Sequence, residues 1–277
     1  FVGMLEAFLG EDAFRAGIRS YMAKHQYSNT TSVDLWAALS QASGKPVAQI
    51  ARDWTLQAGF PLVRVDAVCV RGQRHITLHQ QHYVRDGSDS RRLWRVPVQI
   101  GSVDGKPDYV LLDKARQTVV RAGCSGPLVI DPQSVGYYRV QYAPQLLADL
   151  TQVAATLPDA ARVKLVSDAG MLASDKRIPL AAYLQLVKVL AGEPRMAVWR
   201  PALDRLAALD ALVGSETPAA NGMRSAWRDF AIQAVRPKFA QLGWDAVPGE
   251  SVDDAQIRAA LLLFLATCVT GIYWLAE

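Results

Sequence analysis

Apolar positions follow two periods along this chain, about 3.6 residues at both ends and 2 in the middle. Phe14, Ile18, Tyr21 and Met22 stand at i, i+4, i+7 and i+8, one apolar stripe of an amphipathic helix. Gly10 separates it from the preceding turn, and Glu11 and Asp12 fall where negative charge favours a helix start. Thr31 to Asp34 has the form of a capping box opening a second helix, which carries Leu35, Trp36 and Leu39 and closes at Gly44. Pro46 suits the first turn of a third helix with Val47, Ile50 and Trp54 on its inner face, and Gly59-Phe60-Pro61 ends helical character.

From residue 61 the period becomes 2. Val63, Val65, Ala67 and Cys69 alternate with Arg64 and Asp66, while Trp94, Val96, Val98 and Ile100 share one face. Asp104-Gly105 is a hairpin signal, and further short strands follow up to Tyr142. Short strands at roughly ten-residue spacing, with no helix between them, predict a small antiparallel β-sandwich. Leu-rich helical segments return after residue 143, broken at Pro158, Pro179 and Gly192-Glu193-Pro194, and predict an α-solenoid-like array. The expected fold is therefore α+β multidomain: helices over 1–60, a β-sandwich over 61–142 and a helical domain over 143–277.

Composition narrows the function classes. At 51% hydrophobic and 20% charged, the 277 residues are neither low-complexity nor disordered. Thirty Lys and Arg against 26 Asp and Glu leave a net +4 with no basic run, which argues against nucleic acid as a partner. Cys69, Cys124 and Cys268 are odd in number and far apart; no disulfide framework or Cys-x-x-Cys knuckle is expected, and a reducing, cytoplasmic setting follows. The opening FVGMLEAFLGED lacks the form of a signal peptide and starts within a helical pattern, as expected of a piece of a longer chain.

No complete catalytic constellation emerges. His75 and His79 have the i, i+4 spacing of a helical zinc chelate, but the residues around them favour a strand, and Ile76 stands where a zinc peptidase needs its Glu base. In a strand His75, Thr77 and His79 share a face and His82 takes the other. His25 follows a helix end, where capping or packing accounts for it. Gly123-Cys124-Ser125-Gly126-Pro127 misses the nucleophile elbow by one residue and reads as a turn. The acidic pairs Glu11-Asp12 and Asp253-Asp254 read as helix caps, and most Trp and Tyr as packing. Catalytic, cofactor-binding and metal residues are thus all expected to be absent.

Three separated motifs carry a family resemblance. Leu9-Gly10, Phe14, Tyr21, His25, Asn29, Thr31, Asp34-Leu35-Trp36, Ser43-Gly44, Trp54-Thr55 and Gly59-Phe60-Pro61 resemble the end of the catalytic domain in the aminopeptidase N-like family of zinc metallopeptidases. Gly136-Tyr137-Tyr138-Arg139-Val140-Gln141-Tyr142 resembles the signature closing that family's β-sandwich, where Asn is commoner than Gln141. Leu242-Gly243-Trp244 with Pro248-Gly249-Glu250-Ser251 resembles a loop of its helical domain. The resemblance implies the tail of a thermolysin-like catalytic domain followed by a spacer and a cap. It also implies a parent that takes Zn2+, acts on peptide N-termini and pairs this chain with the rest of its catalytic domain. The zinc-binding helix, its Glu base and the oxyanion Tyr would all precede Phe1, so the chain alone is expected to be inactive.

Ala259–Ala276 is an 18-residue uncharged stretch of membrane-spanning length. Thr267, Thr270 and Gly271 dilute it and no basic anchor follows, so a buried helix left uncovered by truncation and prone to self-association, or a tail altered by a frame change, is expected over a tail anchor. A free-standing interaction module is the alternative from another class.

Overall fold

The computed structural model describes residues 1–84, 91–101, 108–213 and 218–270. They form two compact units, Phe1–Leu146 and Leu147–Glu277.

The first unit opens with α1 (Val2–Leu9), α2 (Glu11–His25), α3 (Ser32–Ser43) and α4 (Val47–Leu56). The capping box at α3 is present: the Thr31 N–H donates to the Asp34 carboxylate at 2.9 Å, and its hydroxyl does the same. Those bonds hold the Asp34 carboxyl below its ordinary pKa. Gly44 ends α3 in the left-handed state, φ +65°. Leu5, Phe8, Leu9, Leu39, Val47 and Ile50 form the helical core, with Phe14, Ile18 and Trp54 packed on it. Met22, expected in the same stripe, is 60% exposed. Eight residues on from Phe14, it has drifted about 80° round the helix.

Among the described residues seven strands follow: β1 (Pro61–Val70), β2 (Gln73–His82), β3 (Val96–Gly101), β4 (Asp108–Leu112), β5 (Arg116–Ala122), β6 (Val129–Ile130) and β7 (Arg139–Tyr142). They make two sheets, β5-β2-β1-β7 and β4-β3-β6. Pairing is antiparallel except between β1 and β7, which run parallel, so the first sheet is mixed where an antiparallel one was expected. The chain reaches β7 only after building the second sheet, a long crossover of the kind a parallel pair requires. The Asp104-Gly105 turn lies outside the described residues.

Alternation holds on β1, where Val63 and Val65 are buried and Arg64 and Asp66 exposed. It fails on β3, which is buried from Val96 through Ile100. The reason lies with its sheet's second face: Tyr109 and Leu111 of the paired strand β4 pack against the helical core.

Gln80 faces inward from β2 and is 5% exposed. Its amide nitrogen lies within hydrogen-bonding reach of the carbonyls of Trp94 (2.9 Å), Leu112 (3.2 Å) and Lys114 (3.1 Å), and its oxygen accepts the Trp94 N–H (2.9 Å). One side chain thereby joins β2 to the segment entering β3 and to the end of β4.

The expectation that the cysteines stay unpaired is overturned: Cys69 and Cys124 form a disulfide, with Cα atoms 5.9 Å apart. Fifty-five residues separate them in sequence, but β1, β2 and β5 are successive neighbours. Sheet register therefore brings the end of β1 and the exit of β5 to one corner. Disulfides persist in oxidising surroundings, so thiol count no longer supports a reducing compartment.

The second unit contains α5 (Pro144–Gln152, straddling the boundary), α6 (Asp159–Ser174), α7 (Leu180–Lys188), α8 (Met196–Val213), α9 (Pro218–Leu242) and α10 (Val252–Thr270). The breaks fall at the expected prolines. Helix α6 is buried on nearly every side, including Leu165, Val166, Ala169 and Leu172, and packs on both α7 and α8. Its own buried charges are paired, Arg162 with Glu193 and Asp168 with Lys164. The Arg162 guanidinium donates to Glu193 at 2.7 and 3.1 Å, and Glu193, 5% exposed, also accepts the Arg195 N–H. Lys238, 2% exposed, lies 3.5 Å from Asp254.

Replacing Gln80 by Leu should lower the unfolding free energy in urea by about 2 kcal/mol, because buried carbonyls and the Trp94 N–H lose their partner; unchanged stability would reject the tie. Glu193→Ala should cost about 3 kcal/mol, because the buried Arg162 guanidinium keeps only the half-exposed Asp159 and the Leu157 carbonyl as partners. A loss under about 1 kcal/mol in the same assay would show that water reaches that guanidinium.

Candidate functional site

His75 and His79 lie on β2, as the strand reading expects, and with Thr77 they line its outward face. Sites four residues apart on a strand are about 13 Å apart, too far to share a metal. Among the described residues, no group of three or more His, Cys, Asp or Glu could hold a metal ion. Cross-strand register surrounds the two histidines differently. Val68 and Val120 flank His75, whereas Arg64 and Arg116 flank His79. Partial burial, then Arg116 and Arg64, push the His79 pKa below 6.5 against an opposing pull from Asp66.

His82 belongs to a different environment. Its ring packs 5.5 Å from that of Trp94 and covers Gly59, where φ is +94° and a Cβ would collide with the imidazole. His25 sits in the last turn of α2 with its ring 5.4 Å from Tyr21. Glu11 and Asp12 occupy the first turn of α2, as expected. At α10 capping is only part of the account: Asp253 accepts the Met196 N–H at 2.8 Å and pairs with Arg195, while Asp254 pairs with Lys238 and Ser251.

The Gly136-to-Tyr142 motif proves to be a steric and hydrogen-bonding joint. Asp131, fully buried with φ +55°, accepts the N–H groups of Val135 and Gly136, each at 3.0 Å. A Cβ at Gly136 would collide with the Tyr138 ring. The Tyr138 hydroxyl accepts the Gln99 N–H, and that of Tyr142 accepts the Ile130 N–H at 2.9 Å. Burial, helped by Asp131, raises the Tyr138 phenol far above its usual pKa and keeps it neutral. The Tyr137 ring packs with those of Trp54 and Phe60, joining the motif to α4.

Gly123 to Pro127 connects β5 to β6 as a turn, with Gly123 and Gly126 at φ +78° and +74°. Arg74 reaches across to it: one guanidinium nitrogen lies 2.5, 3.1 and 2.7 Å from the carbonyl oxygens of Cys124, Ser125 and Gly126. Arg74, Gly123 and Ser125, with Ile100, Arg121 and Leu128, line a cavity of about 450 Å3. Sequence reasoning missed this corner, because Arg74 and the cysteine pair become neighbours only through strand register. A smaller cavity of about 210 Å3 lies beside Arg162 and Glu193 in the second unit.

The described residues thus form two compact units, one helical and one joining four helices to two sheets. Residues 128–272 match the family described as ERAP1-like C-terminal domain, and residues 1–54 match the peptidase family M1 domain. The chain belongs to the ERAP1-like C-terminal domain family, as the C-terminal portion of an aminopeptidase N-like protein. Aminopeptidase 2 of Candida albicans is 30% identical over 93% of this chain and 28% of its own length. Aminopeptidase N of Lactococcus lactis is 28% identical over 94% of this chain and 30% of its own. The puromycin-sensitive aminopeptidase of Caenorhabditis elegans is 29% identical, over 95% and 28%. The chain therefore spans under a third of the length of these relatives.

His79 should titrate in NMR with a midpoint below 6.5, and Arg116→Gln should move it upward; a wild-type midpoint at or above 6.5 contradicts the cross-strand account. With a depressed folded pKa, the unfolded chain takes up the proton first as pH falls. Stability present above pH 6.5 is then lost on acidification through the folded value, and His79→Gln should lose less between pH 7 and 5.

Proposed function

We propose that this chain is the C-terminal part of a zinc-dependent aminopeptidase, which removes N-terminal residues from peptides, and that it has no activity by itself. The observation that carries this reading is the order of the two family matches. A peptidase M1 domain match ends at residue 54, and the ERAP1-like match runs from 128 to 272. Residues 1–60 are then the closing helices of the catalytic domain, 61–142 a β-sandwich spacer and 143–277 a helical-repeat cap over the active-site chamber. Its direct partner is the remainder of the catalytic domain, and peptides are the parent's substrates.

Zinc does not fit the residues present here, since His75 and His79 diverge along a strand and His82 is committed to Gly59 and Trp94. In the parent, zinc would be held by residues upstream of Phe1, and no catalytic step is assigned to this chain. No helix among the described residues is long and apolar enough to cross a membrane. The stretch from Ala259 is helical as far as Thr270, and residues 271–277 lie outside the described part. The Cys69–Cys124 bridge favours an oxidising compartment over the cytoplasm first expected.

The test is a comparison of this chain with the product of its whole reading frame on aminoacyl anilides. The chain alone should release no anilide, while the longer product should turn over and lose activity to a zinc chelator. A reading frame that starts at Phe1, or an inactive longer product, would favour a free-standing interaction module.

A further inference from the structure

The disulfide, the Arg74 clasp and the cavity meet at one corner of the first unit. We propose that Cys69–Cys124 is a thiol-exchange site, a latch that holds the Gly123–Gly126 turn against the 450 Å3 cavity and is released by a dithiol reductant while both sheets stay folded.

Access comes first. Cys69 is exposed near the end of β1 and Cys124 is half-buried beyond the end of β5, so an attacking thiolate can approach from solvent. Exposed disulfides are the exchangeable ones, whereas structural bridges are shielded. The chemistry balances with a dithiol alone. One thiolate attacks a cysteine sulfur, the S–S bond breaks and the other cysteine leaves as a thiolate that takes up a proton. The reagent's second thiol then displaces the first cysteine and closes its own disulfide. Two electrons pass to the protein and the dithiol is oxidised.

The effect of that reduction depends on what else holds each part. β1 is paired with β2 along ten residues and β2 with β5 along six, and Val63, Val65, Ile76 and Leu78 bury the inner face; none of this uses the sulfurs. The turn has far fewer ties. Gly123 donates to the Gly72 carbonyl at 3.0 Å, and the next three carbonyls all converge on one Arg74 nitrogen. That nitrogen has two hydrogens for three acceptors. Both glycines bounding the turn have positive φ, so the segment carries backbone freedom at each end. Gly123 and Ser125 form part of the cavity wall, so their release widens its mouth. A segment with few contacts opens at lower free energy than the ladder beside it.

The experiment treats the whole chain with dithiothreitol in native buffer. It then follows alkylation by peptide mass, with Cys69 and Cys124 assigned separately from Cys268, and amide hydrogen exchange. Both cysteines should become alkylated without denaturant. Exchange at Gly123, whose N–H is bonded to the Gly72 carbonyl, should rise at least tenfold while the β1 and β2 amides keep their protection, and reoxidation should reverse it. The Cys69→Ser/Cys124→Ser variant should show the fast exchange without reductant; should it not fold, the wild-type reduction still decides. Reduction that requires denaturant, loss of protection across β1 and β2 together, or unchanged exchange at the turn would each overturn the latch.

Discussion

The first unit depends on the Gln80 amide. Strand pairing holds each sheet together internally, but a sheet has no backbone bond to offer across its face. Carbonyls at Trp94, Leu112 and Lys114 therefore need a donor from elsewhere, and the Gln80 amide, near the end of β2, brings two hydrogens within reach of all three. The surrounding positions Leu78, Val96 and Leu112 are fully buried and apolar, which strengthens those bonds and raises the penalty for leaving any unmade. Apolar packing brings the two sheets together without direction, and the amide fixes which residue faces which. Tyr138 and Tyr142 repeat the device at the other end, each tying a strand or turn to a backbone N–H of the second sheet.

Much of this was legible along the chain, for a local reason. Capping at Thr31 and Asp34, the left-handed Gly44 and the prolines before α6 and α7 are set within a few residues, and sequence carries them directly. The strand assignment of His75 and His79 follows equally from near neighbours. What escaped depends on register between distant segments. The Cys69–Cys124 bridge, the three carbonyls around Arg74 and the parallel β1–β7 pair all join residues at least fifty positions apart. Gln80 and Gln99 also escaped, since a polar residue in an alternating pattern reads as solvent-facing until the opposite sheet covers it, as at Gln80, or its own sheet's second face is covered, as at Gln99 beside Tyr109. Legibility here tracked sequence separation.

The motifs that carry the family resemblance are, in this chain, mechanical parts. Gly59 makes room for His82, Gly136 for Tyr138, and Trp54 donates to the Arg95 carbonyl at 3.1 Å while meeting Phe1, Trp94 and Tyr137. Each is constrained by close approach or by directed hydrogen bonding. Family membership can therefore be plain from residues whose contacts are structural. A glycine with no space for a methyl is as sharp a requirement as a metal ligand, but it specifies shape alone.

The same distinction governs how the outward face of the first sheet is read. His79 between two arginines has the composition of a binding site, and its depressed pKa has the direction often seen at active sites. Neither property requires a ligand. Positive neighbours disfavour the imidazolium by simple repulsion, and Asp66 opposes them only in part. Among the described residues no third ligand joins the two histidines, and β2 carries them apart at the strand rise. At the opposite corner, Arg74 meets the backbone of a two-glycine turn beside a cavity and an exchangeable bond. There one bond, made or broken, changes which atoms line the space, and that dependence gives the corner a stronger claim to function than the histidine face.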